Sequence, residues 1–212
     1  ADGARLAIER KPDLVIFEGS GAAFPPIATK RRILIANSSI EPELLTGYLN
    51  TYRVLVSDLV VLTAAELGSR HDEIREAIDE VKPDLTVIAT AMRPRPVEPV
   101  KGKRVAVFTT APEEAHDRLK ELLSEEHGAE VAHISGNLSD RDKLRSDLES
   151  IDAETYLIEI KAAAIDVVAE AAHERGVECV FLDNDVTPLD GEPDLDRELA
   201  ALAEAAQEEP AR

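Results

Sequence analysis

An apolar run that ends in a carboxylate and then in glycines is a place where a metal-bound phosphate can sit. The stretch KPDLVIFEGSGAAFPP, residues 11–26, has this form: Glu18 closes the run, and Gly19 and Gly21 flank Ser20. Glycine adopts positive φ at little cost and lets a ligand come close to the backbone. A carboxylate beside such a loop can hold Mg²⁺, directly or through water, next to a triphosphate. A loop or helix-capping role for Glu18 fits the same position.

Four further groups carry possible chemistry. SDLVVLTAAE (57–66) has the form of the late strand of phosphate-loop nucleotide enzymes, whose end touches the base, which would make Thr63 and Glu66 nucleotide contacts. A buried strand followed by a capping Thr63 is the plainer alternative. In EIKAAAIDVV (159–168), Lys161 follows an apolar strand and precedes an Ala-rich helix, so its ammonium lies where a helix start already favours anions. FTTAP (108–112) offers the hydroxyls of Thr109 and Thr110 ahead of a helix that starts near Pro112. LDNDVTP (182–188) ends an apolar run with Asp183 and Asn184, suited to a metal or hydroxyl contact or to an Asx turn. The five His (71, 116, 127, 133, 173) lack metal-ligand spacing and read as surface or packing residues. Nothing suggests a Ser-His-Asp or Cys-His arrangement, and no complete G-x-x-x-x-G-K-[ST] loop occurs.

These residues need elements to place them, and the sequence supplies a regular alternation. Apolar runs at 13–19, 31–38, 57–63 and 84–90 read as buried parallel strands, with helices at 41–54 (Leu44, Leu45, Tyr48, Leu49 and Tyr52 forming its stripe) and 71–81. RPRPVEPVKGK (93–103), rich in proline, reads as a break without regular pairing and as a domain boundary. The alternation then restarts with strands at 104–110, 129–135, 155–160 and 177–184. Its helices are 112–128, stopped by Gly128, 139–151, capped by Ser139, and 162–176, with an acidic terminal helix after them. The fold expected is α/β with two doubly wound parallel-sheet units, 1–95 and 96–212, whose ligands sit beyond the carboxyl ends of the strands.

Composition narrows the partners. The 212 residues carry 24 Lys and Arg against 43 Asp and Glu, a formal charge of −19, which repels a nucleic-acid backbone. Arg outnumbers Lys by 16 to 8, and the acid excess points to a salt-rich cytosol where screening tolerates it. The single Cys179 excludes an internal disulfide and a thiolate cluster, and reads as inert in a buried strand. No apolar stretch reaches the ~18 residues of a membrane span, and no signal peptide is visible, so a cytoplasmic protein is expected. ADGARLAIERKPD, without a starting Met, reads as the tail of a helix and the chain as the C-terminal part of something longer.

Taken together, PDLVIFEGSGAAFPP, ELLTGYLNTYRVLVSDLVVLT, EIKAAAIDVV and RGVECVFLDN resemble the cyclic 2,3-diphosphoglycerate synthetases, over about residues 11–190. The first motif alone is shared in style with dethiobiotin synthetase-like enzymes, so another phosphate-loop enzyme of that type, or a non-catalytic phosphate-binding fragment, is the alternative reading. The resemblance implies a phosphate-loop (P-loop) nucleotide domain and an ATP- and Mg²⁺-dependent ligase. That ligase closes an intramolecular phosphoanhydride in 2,3-diphosphoglycerate, yielding an anionic solute of some archaea. It also implies that the Walker-type loop lies N-terminal to everything here, so this chain by itself should not be active. On that basis Glu18 would hold Mg²⁺, and Gly19, Ser20, Gly21, Thr63 and Glu66 would bind the nucleotide. Lys161 would be catalytic and, with Arg53, Thr109, Thr110, Asp183 and Asn184, would bind the substrate; Arg31 and Arg32 are further candidates to neutralise it. A homodimer in the cytoplasm of a halophilic archaeon completes the expectation.

Overall fold

A run of Val, Ile and Leu buried on both faces cannot close its hydrogen bonds alone, and parallel strands need long crossovers between them. The computed structural model resolves this with helical crossovers, and describes residues 2–19, 27–66, 70–160 and 162–208. Among these are α1 (Asp2–Glu9), β1 (Ile33–Asn37), α2 (Pro42–Thr46), α3 (Tyr48–Val56), β2 (Leu59–Thr63), α4 (His71–Val81), β3 (Val87–Pro96) and β4 (Arg104–Phe108). After a 3₁₀ turn at Glu113–Ala115 follow α5 (His116–Glu125), β5 (Glu130–Ser135), α6 (Arg141–Ser150), β6 (Thr155–Glu159), α7 (Ile165–Arg175), β7 (Glu178–Pro188) and α8 (Leu195–Glu208). The chain packs as two units, 1–91 with 187–212, and 92–186. The α/β class with parallel sheets is the one the sequence leads one to expect.

In the first unit β1, β2 and β3 lie side by side and parallel. β2 is apolar at every position because both its faces are covered. Val60 and Leu62 meet Leu45, Val54, Ile74 and Ile78 from α2, α3 and α4. Leu59 and Val61, with Ile88, meet Leu195, Leu199 and Leu202 of α8. The helical spacing of those three leucines is what brings α8 into this unit, whereas a boundary at 95/96 assigns it to the second half.

In the second unit the strand order is β7-β6-β4-β5, all parallel. α5 packs Leu123 against Val105, Val107, Leu157 and Val180 on one face. α6 and α7 pack Leu144, Leu148, Val167 and Val168 against Ala106, Phe108, Tyr156 and Ile158 on the other. Phe108 and Tyr156 meet edge to face with ring centroids 5.1 Å apart.

Several local expectations are corrected. Residues 13–19 form no strand, and Ile16 is 83% exposed: a strand needs a hydrogen-bonding neighbour, and none of the described ladders includes this segment. The helix at 41–54 is two helices, broken where Gly47 is extended, and Leu44, Tyr48, Leu49 and Tyr52 face outward while Leu45 and Val54 are buried. β3 runs through Pro94 and Pro96. Backbone N–H groups alternate sides along a strand, so prolines two apart lose donors on one side only. The other side still pairs, as Val97 N–H donating to Phe181 O at 2.9 Å shows. The cap of α6 is Asp140, which accepts from Lys143 N–H, in place of Ser139. Cys179 is exposed on β7, because the alternation of that strand turns its neighbour Val180 inward.

Candidate functional site

The strand order of the second unit contains a reversal. From β4 the chain steps to β5 on one side, then returns past β4 to β6 and onward to β7. The connections after β4 and β6 therefore leave toward opposite faces, and a crevice opens between their carboxyl ends, the position at which open α/β sheets take ligands. Register fixes what meets there. Phe108 is opposite both Ile158 and Ser135, and Ile158 is opposite Phe181. The next row thus holds Gly136, Thr109, Glu159 and Leu182.

Thr109 and Glu159 face each other across the crevice. The buried Thr109 donates from Oγ1 to Glu159 Oε2 at 2.7 Å, and Thr110 donates to the same oxygen from its amide at 2.5 Å and its hydroxyl at 3.0 Å. Ala111 N–H donates to Thr109 Oγ1 at 3.0 Å, which turns the hydroxyl proton toward Glu159. Behind this loop His116 Nε2 lies 3.2 Å from Ala111 O, which it meets as a donor. The loop after β5 is clamped in turn: Asp147 on α6 accepts from Ser135 Oγ at 2.6 Å and from Asn137 Nδ2 at 2.8 Å. Space is tight at Gly136, where a Cβ would stand 3.2 Å from the His116 ring and 3.3 Å from Ala111 O.

Thr109 and Thr110 are thus together at the crevice, and Glu159 joins them. Sequence reasoning passed over Glu159 by reading the strand through Ile160 to Lys161. The signal was present, because TYLIE is another apolar run closed by an acid. Lys161 itself lies outside the described residues, as do Ser20 and Gly21. Asp183 and Asn184 do not end their strand, since β7 continues to Pro188. Asp183 instead accepts from Arg95 at 2.7 Å and from Asn184 N–H at 2.9 Å, and Asp185 takes the other side of the same guanidinium at 2.8 Å. This is a structural clamp between β3 and β7, and Asp185 first, with Asp183, holds the Arg95 pKa up.

Three other carboxylates of this unit have cationic partners. The Arg141 guanidinium, 2.8 Å away, holds Asp166 below the usual carboxylate range. The Lys143 amide and ammonium do the same for Asp140, and Lys103, with Thr155, for Glu178.

In the first unit, Thr63 closes β2 with its hydroxyl 3.4 Å from Ala36 O, and its carbonyl accepts from Ser38 N–H at 2.9 Å. Ala64, next along, has φ of 57°, a conformation that costs a non-glycine residue energy and clusters at ligand loops. The fully buried Ser38 donates to Ala64 O at 2.9 Å and fixes that turn. Glu66 is half-buried just beyond. Arg53 is on α3, beside a hollow of about 720 Å³ lined by Leu44, Tyr48 and Leu49. Arg32 uses its amide to hold Asp58 at 2.8 Å, and Arg31 donates to the carbonyl of Lys30. Glu18 and Gly19 are exposed. Among the described residues no group of three or more His, Cys, Asp or Glu could hold a metal ion. Mg²⁺ that travels with phosphates needs only one or two carboxylates, and an accessible Glu18 can supply one.

Two family models match in tandem: the P-loop domain of cyclic 2,3-diphosphoglycerate synthetase over residues 1–91, and the C-terminal domain of the same enzyme over residues 96–185. The chain belongs to the cyclic 2,3-diphosphoglycerate synthetase family. Its similarity to the synthetase of Rubrobacter xylanophilus is 46% identity over 210 residues, 97% of this chain and 47% of that protein. To the synthetase of Thermococcus kodakarensis it is 41% identical over 194 residues, 89% of this chain and 44% of the relative. To that of Methanothermobacter thermautotrophicus it is 36% identical over 211 residues, 96% and 46% respectively. The chain therefore spans about half the length of the curated relatives it matches. Family membership accounts for the α/β architecture, with the P-loop domain model on the first unit's leading segment and the C-terminal domain model on most of the second. Among the described residues no helix is long and apolar enough to cross a membrane.

Proposed function

We propose that this chain is part of a cyclic 2,3-diphosphoglycerate synthetase that uses ATP and Mg²⁺ to close an intramolecular phosphoanhydride in 2,3-diphosphoglycerate. The tandem match of the P-loop and C-terminal domain models carries this reading. Joining two phosphates of one molecule forces negative charges together. The reaction therefore needs a phosphoryl group from ATP to activate one phosphate, and cations and oriented donors to offset the charge as the other attacks it. On this reading the first unit serves the nucleotide, through Gly19, Ser20, Gly21, Thr63 and Glu66, and Glu18 holds the Mg²⁺. The second unit serves the diphosphoglycerate, with Thr109 and Thr110 donating to a phosphate at the crevice and Lys161 neutralising the reacting oxygens. Arg53 is a further substrate contact. Asp183 and Asn184 are further substrate contacts on this reading, with Asp183 also accepting from Arg95 at 2.7 Å. The same reading makes the enzyme a cytoplasmic homodimer of a salt-tolerant organism, with no nucleic-acid partner.

The test is the complete gene product incubated with ATP, Mg²⁺ and 2,3-diphosphoglycerate and followed by phosphorus NMR. A new anhydride resonance that grows with ADP is expected; ATP consumption without it sinks the assignment. Glu18→Gln should raise the Mg²⁺ concentration needed for half-maximal turnover by about tenfold, in line with loss of one charged ligand from a weakly held hard cation. An unchanged Mg²⁺ profile removes Glu18 from the metal site.

A further inference from the structure

The crevice between β4 and β6 already contains an anion, and that anion belongs to the protein. Three donors that would suit a phosphate oxygen, namely the hydroxyl of Thr109 and the amide and hydroxyl of Thr110, all converge on Oε2 of Glu159 at 2.5–3.0 Å. The hydroxyl of Thr110 also lies 3.2 Å from Oε1. Three convergent donors on one oxygen form a site for a phosphate as much as for a carboxylate.

Three acids of this unit hold position on cations, Asp183 on Arg95, Asp166 on Arg141 and Glu178 on Lys103, whereas Asp147 rests on the neutral donors Ser135 and Asn137. The described partners of Glu159 are neutral. A carboxylate held by neutral donors alone loses less on leaving than one held by a guanidinium. Glu159 is half-buried and Thr110 is exposed, so the place is reachable from solvent.

We propose that Glu159 is a displaceable internal anion that keeps the Thr109–Thr110 donors in phosphate-binding geometry and is driven out when a substrate phosphate enters. The inference rests on the reading that this loop receives a phosphate of the diphosphoglycerate. Its consequence is selectivity. A dianionic phosphate with three acceptor oxygens outcompetes one carboxylate for the donors, whereas chloride or a simple carboxylate does not. Two anions cannot share the place, since like charges at hydrogen-bonding distance repel strongly away from bulk water. Glu159 is on this account a specificity-determining residue, and no bond to it forms or breaks.

The test is calorimetric titration of the full-length protein with 2,3-diphosphoglycerate and, separately, inorganic phosphate. Glu159→Gln keeps the size and an acceptor oxygen but removes the charge. It should tighten both ligands by about tenfold, the scale of removing one nearby like charge. It should also let acetate compete, which the parent protein resists. Glu159→Asp, which draws the carboxylate back by one methylene, should shift affinity in the same direction by less and guards against a Gln variant that misfolds. Thr110→Ala should weaken both ligands in either background. Unchanged or weaker binding by a folded Glu159→Gln protein overturns the proposal, as does a fall in turnover at unchanged affinity, which would make Glu159 part of the chemistry. If inorganic phosphate tightens but 2,3-diphosphoglycerate fails to bind even the parent, the displaced-anion mechanism survives and the assigned substrate falls.

Discussion

Single side chains on the second unit tie its stability to acidity in a definite direction. Asp140, Asp166 and Glu178 are each held below their ordinary carboxylate range by a hydrogen-bonding partner, namely the Lys143 amide, Arg141 and Lys103. A carboxyl whose pKa is depressed on folding adds stability above its unfolded value and forfeits it as the pH falls through the folded value. The contribution is therefore whole at pH 7 and lost below about pH 4. Because all three are at the surface, each is a small term. Thermal melts between pH 7 and pH 3 should show a flat plateau and then a decline, and Arg141→Ala should lessen the acid limb while barely moving the plateau. A decline that starts near pH 6 would place the titrating groups elsewhere. Cys179 runs the other way: although exposed, it sits among enough protein for desolvation to push its thiol up, so it stays protonated and weakly nucleophilic at neutral pH.

At the scale of elements, the crevice depends on how closely the loop after β5 can approach the loop after β4. Gly136→Ala would put a methyl 3.2 Å from the His116 ring and 3.3 Å from Ala111 O, so the ring must turn or the Ala111 carbonyl must draw back to admit it. The expected outcome is weaker 2,3-diphosphoglycerate binding, by about tenfold, with a melting temperature lower by about 2–12 °C, since such crowding typically costs about 1–3 kcal/mol. Full retention of affinity would show that the Thr109–Ala111 loop does not need that support.

The elements that create this approach were legible in the sequence, because VAVF, VAHI and YLIE are short apolar runs separated by amphipathic stretches, and period alone identifies them. Thr109 and Thr110 were legible for the same reason, since strand ends follow from strand positions. Glu159 ends such a run too, but its meeting with the threonines was not legible, because they are 49 to 50 residues away and only the parallel register of β4 and β6 brings them together. The segment at 13–19 misled for a related cause: its composition suits a strand, but composition says nothing about whether a neighbour exists. The stripe of Leu44, Tyr48, Leu49 and Tyr52 had the right spacing for a helix face, but spacing does not say which face meets the core.

Across the whole molecule, 43 acids against 24 bases leave a self-repulsion that no pairwise contact removes. Added salt shortens the Debye length from about 10 Å at 0.1 M to about 3 Å at 1 M. Raising KCl across that range should therefore raise the melting temperature, by about 2–4 °C for each kcal/mol of repulsion screened. A fall would show that attractive surface pairs outweigh the excess charge.

The paired prolines of β3 have a consequence of their own. With Pro94 and Pro96 two residues apart and Val97 N–H turned to Phe181, the flank of this stretch that faces away from β7 has lost its donors. A stray extended peptide, from a misfolded neighbour or a nascent chain, finds nothing there to zip onto. Pro94 is itself buried with its carbonyl 2.8 Å from His127 Nε2, so packing adds cover to a flank whose missing donors no change of temperature or salt restores.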